Sequence, residues 1–107
     1  MSTTPIAQIL TIADLIGYQE GAIVSRVILK GDTGNVTLFA FDAGQELSEH
    51  TTSFKSLVHV LDGEAEISIS AQPFRLKAGE AIIMPADQPH AVKATKQFKM
   101  LLTMIRV

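Results

Sequence analysis

Runs of β-branched and apolar residues recur along this chain about every eight to twelve residues, and residues typical of turns separate them. Helix-type periodicity is almost absent. This pattern predicts an all-β fold, either a sandwich or a barrel, and the regular turns favour a jelly roll or small closed barrel. The predicted strands cover residues 22–29, 36–42, 57–61, 64–70, 74–77, 81–84, 91–94 and 98–107.

Alternation within these runs predicts which side chains face the interior. Thr37, Phe39 and Phe41 fall on one face of their strand, opposite Leu38 and Ala40. The later run from 64 to 70 alternates in the same way, with alanine and isoleucine on one side and mainly glutamate and serine on the other.

Turn chemistry marks the ends of several predicted strands. The run 57–61 is apolar except for its central histidine, which predicts burial on both faces. Asp62-Gly63 follows it directly, and this dipeptide predicts a hairpin. Residues 71–73 are expected to form the next turn.

Residues 6–18 contain the only predicted helical segment. Thr11 and Asp14 have the spacing of a capping box, and Ile12, Leu15 and Ile16 fall on one helical face. Gly17 is expected to end the helix after one or two turns packed on the sheet. The chain is therefore expected to form a single domain, 1–107. An N-terminal arm with a helical turn (1–20) would precede a β-barrel (22–107), and the tail is a candidate for pairing with a partner chain.

Composition excludes several classes of function. The chain has 107 residues and a net charge of −2, and its densest basic cluster is Lys93, Lys96 and Lys99, interpreted as a solvated edge. Nucleic-acid binding normally needs a concentrated basic face, so none is expected. No apolar run approaches the ~20 residues that span a bilayer. The N-terminus also lacks the pattern of a signal peptide, so a cytoplasmic location without membrane association is the default. Because cysteine is absent, disulfides, thiolate nucleophiles and cysteine metal sites are excluded.

Two stretches place a histidine a short distance beyond a glycine and beside a β-rich run. In the first, Gly44 is followed after five residues by His50, and Gly63 ends the stretch. In the second, Gly79, Pro85 and His90 are similarly spaced. This pair of motifs resembles the two sequence motifs of the cupin superfamily, and the resemblance covers about residues 36–107. It implies a small, single-domain cupin jelly-roll barrel, a fold whose small members are commonly homodimers.

The departures from the cupin pattern concern the metal ligands. Metal-binding cupins are similar in using three histidines and a glutamate that face into the barrel. The slot for the second histidine here holds Thr52, and the glutamate slot holds Ser56. In the second motif a glycine slot holds Asp87 and an asparagine slot holds Ala94. Of the four ligands that the resemblance implies, only His50 and His90 remain.

Two imidazoles without further ligands predict a weak metal site or none. A firm divalent site usually needs three or four protein ligands, and a neutral hydroxyl is a poor one. Glu49 is expected to point away from His50, whereas Glu46 shares its parity but lies further along the strand. The expectation is no firmly bound cofactor, with weak binding of Zn, Ni, Fe or Mn at His50 and His90 left open.

The expected pocket combines polar and apolar side chains. Its polar end would hold the two imidazoles and two hydroxyls, and soft apolar side chains would form the rest of the wall. His59 has the opposite strand parity and is interpreted as structural. The candidate pocket residues are His50, Thr52, Ser56, His90, Met84, Met100, Met104 and Phe41.

Three functions remain open at this stage. The first is a cupin-like protein that binds a small molecule of unassigned identity. The second is a metal-dependent isomerase, lyase or oxygenase-like enzyme that uses His50 and His90, or an enzyme in which one histidine is a general base. The third is a structural or regulatory module that acts through its dimer interface. Fold alone does not select among them.

Overall fold

The structure is a computed structural model that describes residues 4–106. The all-β prediction is confirmed, since one 3-10 turn is the only helical element in that part of the chain. The 3-10 turn spans Ile12–Leu15, and the strands are β1 (Ile23–Gly31), β2 (Gly34–Phe41), β3 (Glu46–His50), β4 (Phe54–Ile69), β5 (Gln72–Lys77), β6 (Ala81–Met84), β7 (His90–Lys93) and β8 (Phe98–Arg106).

The eight strands form one antiparallel sheet that folds over on itself. Hydrogen bonding links them in the order β1-β2-β8-β4-β7-β3, while β5 and β6 also pair with β4. The first half of β4 pairs with β6 and β8, and the second half pairs with β5 and β7. Buried side chains from both halves, such as Val58 and Ile67, share one core cluster. The curled sheet therefore has a first layer (β1, β2, β8, β6 and the start of β4) facing a second layer (β3, β7, β5 and the end of β4).

Strand β4 passes from one layer to the other without a hairpin, so the prediction of a turn at Asp62-Gly63 is wrong. The register of β4 against β8 shifts between Val60 and Asp62, and Gly63 has a φ of +73°. A Cβ atom at Gly63 would lie 1.9 Å from the carbonyl oxygen of Gln97. In a tight turn, the glycine of an Asp-Gly dipeptide provides a positive φ. Here the positive φ of Gly63 instead forms an irregularity that changes the direction of a continuous strand.

The predicted alternation of β2 is confirmed, and both faces of the strand are covered. On the inner face Phe41 is fully buried and stacks on Phe98, with ring centroids 4.5 Å apart. On the outer face Leu38 and Ala40 are also fully buried, because they pack in a second cluster with Ile16. The segment before β1 thus covers part of the outer surface of the first layer.

The helical part of that segment is shorter than the sequence predicts. Thr11 precedes the 3-10 turn but makes no capping hydrogen bond with its side chain, so the capping-box prediction is wrong. Instead, the Asp14 N–H donates to the Thr11 carbonyl at 3.0 Å. The backbone is already extended at Ile16, one residue before the predicted stop at Gly17. A four-residue 3-10 turn gains little from a side-chain cap, and tertiary contacts hold it in place.

Two cations fasten this segment to the sheet. The Arg26 guanidinium donates to the Leu15 carbonyl at 3.0 Å, and the Lys99 ammonium donates to the Ala13 carbonyl at 2.7 Å. Lys99 also lies 5.2 Å from the ring centroid of Tyr18. The interpretation of Lys99 as part of a solvated edge therefore needs correction, since it is half-buried beneath the arm.

Strand β3 is not among the predicted strands, and the remaining boundaries differ from the prediction by a few residues. The turn between β4 and β5 consists of Ser70 and Ala71, both with positive φ, rather than residues 71–73. Strand β7 begins at His90, one residue early, and the predicted last residue of β8, Val107, lies outside the described residues. Across residues 4–106, no helix has the length and apolar character needed to cross a membrane.

Candidate functional site

The two motif histidines lie side by side on neighbouring strands of the second layer. His50 ends β3 and His90 begins β7, and their Cα atoms are directly paired in the antiparallel register. Their ring centroids are 4.2 Å apart with an angle of 68° between the ring planes, an edge-on contact. The structure therefore brings together two imidazoles that are separated by forty positions in sequence.

An irregularity in β3 turns His50 toward this position. Leu47 pairs with Val92, which is buried, and both pack with the core. The register then shifts between Leu47 and His50, so that both side chains fall on the inner side although their numbers differ in parity. Glu46 pairs with Lys93 on the exposed side. The expectation that Glu46 shares a face with His50 is wrong for this reason.

Backbone carbonyl groups set the tautomer of both rings. Nδ1 of His50 lies 2.8 Å from the Ser48 carbonyl oxygen, and Nδ1 of His90 lies 3.3 Å from that of Gln88. Because a carbonyl oxygen only accepts hydrogen bonds, these contacts place the proton of each neutral ring on Nδ1. Each Nε2 then keeps its lone pair. Sequence reasoning missed the roles of Ser48 and Gln88. These residues act through their main-chain carbonyl groups, so their side chains give no indication of the role.

The two histidines differ in exposure. His90 is 4% exposed, whereas His50 is an exposed residue. Burial is the main cause that lowers the pKa of His90 below its ordinary value, and the neighbouring His50 lowers it further. The hydrogen bond to the Gln88 carbonyl acts in the opposite direction. His90 is therefore held in its neutral form near neutral pH.

Ser56 lies in a row of candidate pocket residues across the first layer. It is buried on β4, and its Cα pairs with Met84 on β6 and with Met104 on β8. Met84 is also buried, and Met104 is partly buried. Residues paired across antiparallel strands share a face, so the row presents one hydroxyl between two thioethers.

Loop contacts place this row and the histidine pair at the same end of the folded sheet. Thr52 lies between β3 and β4, and its carbonyl accepts from the N–H of Asp87 in the loop between β6 and β7, at 2.8 Å. The Ser70 N–H donates to the Pro89 carbonyl, also at 2.8 Å, so the turn between β4 and β5 joins the same loop. We call this end of the molecule, where the loops 51–53, 70–71 and 85–89 meet, the mouth.

Two substitutions in the motif slots have local explanations. Asp87 occupies a glycine slot with a φ of +63°, and aspartate is one of the residues that adopt this conformation most readily. The Thr52 hydroxyl accepts from the Phe54 N–H at 3.3 Å, so it supports the start of β4. Both residues therefore have roles in shaping the mouth.

Two candidate pocket residues lie deeper, within the core. Met100 is 1% exposed and pairs with Val60, while Phe41 is fully buried against Phe98. Both belong to rows further along the strands than the row of Ser56. His59 pairs with Leu101, which packs in the outer cluster, in agreement with its predicted outward direction.

The side chains at the mouth do not make a full set of metal ligands. In residues 4–106, no group of three or more histidine, aspartate and glutamate side chains could hold a metal ion. The two Nε2 atoms supply two ligands, and Ser56 and Thr52 add only neutral hydroxyl groups. The residues present therefore do not fit a firmly bound divalent metal.

The prominent surface cavities of residues 4–106 lie away from both histidines. One, of about 730 Å³, runs between the segment Leu15–Gly17 and strand β1. Another, of about 240 Å³, lies over exposed apolar side chains of β4, β6 and β8.

Comparison with known proteins agrees with this architecture. A conserved protein of unknown function from Streptococcus pyogenes is 31% identical, with a TM-score of 0.92, and the match covers 100% of this chain and 96% of that one. A cupin superfamily protein from Desulfitobacterium hafniense is 28% identical, with a TM-score of 0.91 and coverage of 99% and 97%.

A cupin 2 conserved barrel domain protein from Leptotrichia buccalis is 38% identical, with a TM-score of 0.88. That match covers 91% of this chain but 47% of the other. A search among curated proteins gave no significant match. The sequence profile of the cupin domain matches residues 37–106, which include both histidines. The chain therefore belongs to the cupin family.

Proposed function

We propose that this cupin binds a small molecule at its mouth, where His50 and His90 meet, and that it does so without a firmly bound metal. The observation that supports this proposal most directly is the contact of the two rings, 4.2 Å between centroids, with one ring exposed and the other buried. An exposed imidazole backed by a buried one offers a ligand both access and a fixed polar anchor.

The protonation of the pair defines the chemistry of the ligand. Since both Nδ1 atoms face carbonyl oxygens, the Nε2 atom of each ring is a hydrogen-bond acceptor when that ring is neutral. The ligand should therefore donate an O–H or N–H group to an imidazole. The adjoining Ser56 row, with Met84 and Met104, would receive an apolar part of the ligand. A neutral molecule with a hydroxyl or amide group beside a hydrocarbon portion meets both requirements.

A metal-dependent enzyme is the second candidate function. Histidines that ligate metals usually direct their other ring nitrogen at a carbonyl or carboxylate, as both rings do here. Zn, Ni, Fe or Mn held by His50 and His90 would need most of its other ligands from water or substrate. The incomplete ligand set makes this the weaker proposal, and elemental analysis of the purified protein separates the two.

The proposal can be tested by recording NMR signals of the three histidine rings while hydroxyl- and amide-bearing fragments are added. Binding should shift the ring signals of His50 and His90 and leave those of His59 unchanged. His50→Ala should weaken the affinity for the fragments by at least about tenfold, because it removes the exposed hydrogen-bond acceptor. This is a loss of roughly 1.4 kcal/mol or more of binding free energy. His59→Ala is the matched control.

Either of two results would contradict the proposal. Fragments that bind but shift only signals outside the mouth would place the site elsewhere. Stoichiometric metal that is lost in His50→Ala, together with stabilisation by added Zn²⁺ or Ni²⁺, would support the enzyme instead.

A further inference from the structure

The row of side chains that contains Ser56 continues beyond Met104 to the first two strands. Met104 on β8 pairs with Asn35 on β2, and Asn35 pairs with Lys30 on β1. Because residues paired across antiparallel strands share a face, Asn35 and Lys30 lie on the same face of the sheet as Ser56. Neighbouring strands are about 4.8 Å apart, so Asn35 lies roughly 10 Å from Ser56 along the row. The first layer therefore adds an amide and a cation to the mouth.

Alternation along β2 confirms that Asn35 belongs to the inner face. The next residues on the same face are Thr37, which is 9% exposed, and Phe39 and Phe41, which pack in the core. The Thr37 hydroxyl donates to Oδ1 of Asn35 at 3.0 Å, a contact between neighbouring side chains on one face. Asn35 is thus the polar side chain at the mouth end of the inner face of β2.

An irregularity in β1 gives Lys30 its direction. Val27 pairs with Thr37 on the inner face, and the register then shifts so that Leu29 pairs with Val36 on the outer face. Without this shift Lys30 would lie on the outer face, because it is three residues from Val27 and side chains alternate along a strand. This is the second register shift that turns a titratable side chain toward the mouth.

The hydrogen bond from Thr37 determines which amide atom of Asn35 is free. Since Oδ1 accepts from the hydroxyl, the Nδ2 group keeps its N–H donors for another partner. Within residues 4–106, Nδ2 has no hydrogen-bond acceptor, and it is not buried. Lys30 is exposed and forms no ion pair with any carboxylate in the same part of the chain. The first layer thus offers hydrogen-bond donors, whereas the neutral imidazoles of the second layer offer acceptors.

We propose that Asn35, assisted by Lys30, binds a carbonyl oxygen of the molecule held at the mouth. This assignment rests on the function proposed above and extends it, because it gives the ligand a second polar group. One group of the ligand would donate to Nε2 of His50, and the carbonyl oxygen would accept from Nδ2 of Asn35. Facing sheets are about 10 Å apart, a distance that a small molecule and the side chains on both sides can span. The ligand class is therefore a short hydrocarbon that carries both a hydroxyl or N–H donor and a carbonyl acceptor.

The carbonyl oxygen could belong to a carboxylate or to an amide. The positive charge of Lys30 attracts a carboxylate, whereas the negative charge of Asp87, in the mouth loop 85–89, repels one. Both groups present the same acceptor to Nδ2 of Asn35. The experiment therefore includes one probe of each kind.

Three probes with one carbon skeleton test the assignment: α-hydroxyisovalerate, its amide, and the corresponding diol, which lacks the carbonyl group. Affinities are measured from the NMR signals of the histidine rings of the full chain. The native protein should bind at least one of the two carbonyl probes about fivefold or more tighter than the diol, with shifts of the His50 ring signals. Asn35→Asp keeps an acceptor for the Thr37 hydroxyl but replaces the N–H donor with oxygen. It should abolish this preference and change the affinity for the diol by less than about twofold.

Lys30→Ala distinguishes the two sources of the carbonyl oxygen. If the ligand is a carboxylate, this variant should weaken the acid by about fivefold or more and leave the amide and the diol unchanged. If the ligand is an amide, the native protein should prefer the amide, and Asn35→Asp alone should remove that preference. Lys55→Ala is the charge-matched control, because Lys55 pairs with Ile105 on the outer face. Circular dichroism melting should show that all three variants are folded.

Two results would overturn the assignment and leave the proposed function in place. One is equal affinity of the native protein for all three probes, with shifts of the His50 ring signals in each case. The other is a preference for a carbonyl probe that persists in Asn35→Asp. If no probe shifts the ring signals of either His50 or His90, both the assignment and the proposed function are contradicted.

Discussion

The passage of β4 between the two layers depends on Gly63, and Gly63→Ala tests this dependence. Two costs combine at this position. The φ of +73° lies in the left-handed region, which costs a residue with a Cβ atom about 1–2 kcal/mol. The new Cβ atom would also lie 1.9 Å from the Gln97 carbonyl oxygen, where real contacts are not shorter than 3.0 Å. Backbone atoms would have to move apart by more than 1 Å, at a further cost of about 1–3 kcal/mol.

Two other glycines separate these costs. Gly79 has a φ of +91° and open space around its Cβ position, so Gly79→Ala should lose only the conformational contribution of about 1–2 kcal/mol. Gly34 has no left-handed φ, but its Cβ atom would lie 2.0 Å from the Met104 carbonyl oxygen. Gly34→Ala should therefore show the steric contribution alone. Gly63→Ala should lower the free energy of unfolding by about 2–5 kcal/mol, which is a large part of the stability of a small domain.

Urea unfolding followed by far-ultraviolet circular dichroism measures all three variants, and it suits a chain with one tyrosine and no tryptophan. A Gly63→Ala variant as stable as Gly79→Ala would refute the close approach of β4 to the start of β8. The bend of the strand would then need another explanation.

Three further predictions follow from individual contacts. The pKa of His90 is lowered in the folded state, so below its ordinary value of 6.5 the unfolded chain binds more protons. The free energy of unfolding should therefore decrease from about pH 7 to pH 5.5, and urea titrations of His90→Gln should show a shallower decrease. Burial and the hydrogen bond to Asp62 raise the pKa of Tyr18 above 10.0, so ultraviolet titration of this single tyrosine should show ionisation well above that pH, and Asp62→Asn should lower the midpoint. Ile16→Ala should cost about 2–3 kcal/mol in urea unfolding, because Ile16 is 8% exposed and anchors the arm, and an unchanged stability would contradict that anchoring.

Strand positions and their inner faces could be predicted because period-two alternation follows directly from strand geometry. Phe41 and Ile67 face the core as this rule requires. The meeting of His50 and His90 could be predicted only through the resemblance to a family, since spacing alone does not reveal which strands pair.

The failures at Asp62-Gly63 and Glu46 share one cause, which is that local sequence does not distinguish a turn from an irregularity within a strand. Asp62-Gly63 has the composition of a hairpin, but the pairing of its neighbours with β8 continues across it. Glu46 was placed on the wrong face because the register shift before His50 has no signal in the residues. The exposed apolar pair of Leu57 and Ile83 was also missed, because their contact across neighbouring strands is visible only when the register is known.

The continuity of β4 determines where foreign sequence could be inserted into this scaffold. An engineer reading the chain would choose Asp62-Gly63 for a grafted peptide, yet an insertion there would cut the strand that both walls of the barrel share. Ser70 and Ala71 are exposed at a true reversal of the chain, and a graft at that point would leave every wall intact. It would also stand beside the two imidazoles, so a library of such grafts could present new recognition loops directly above them.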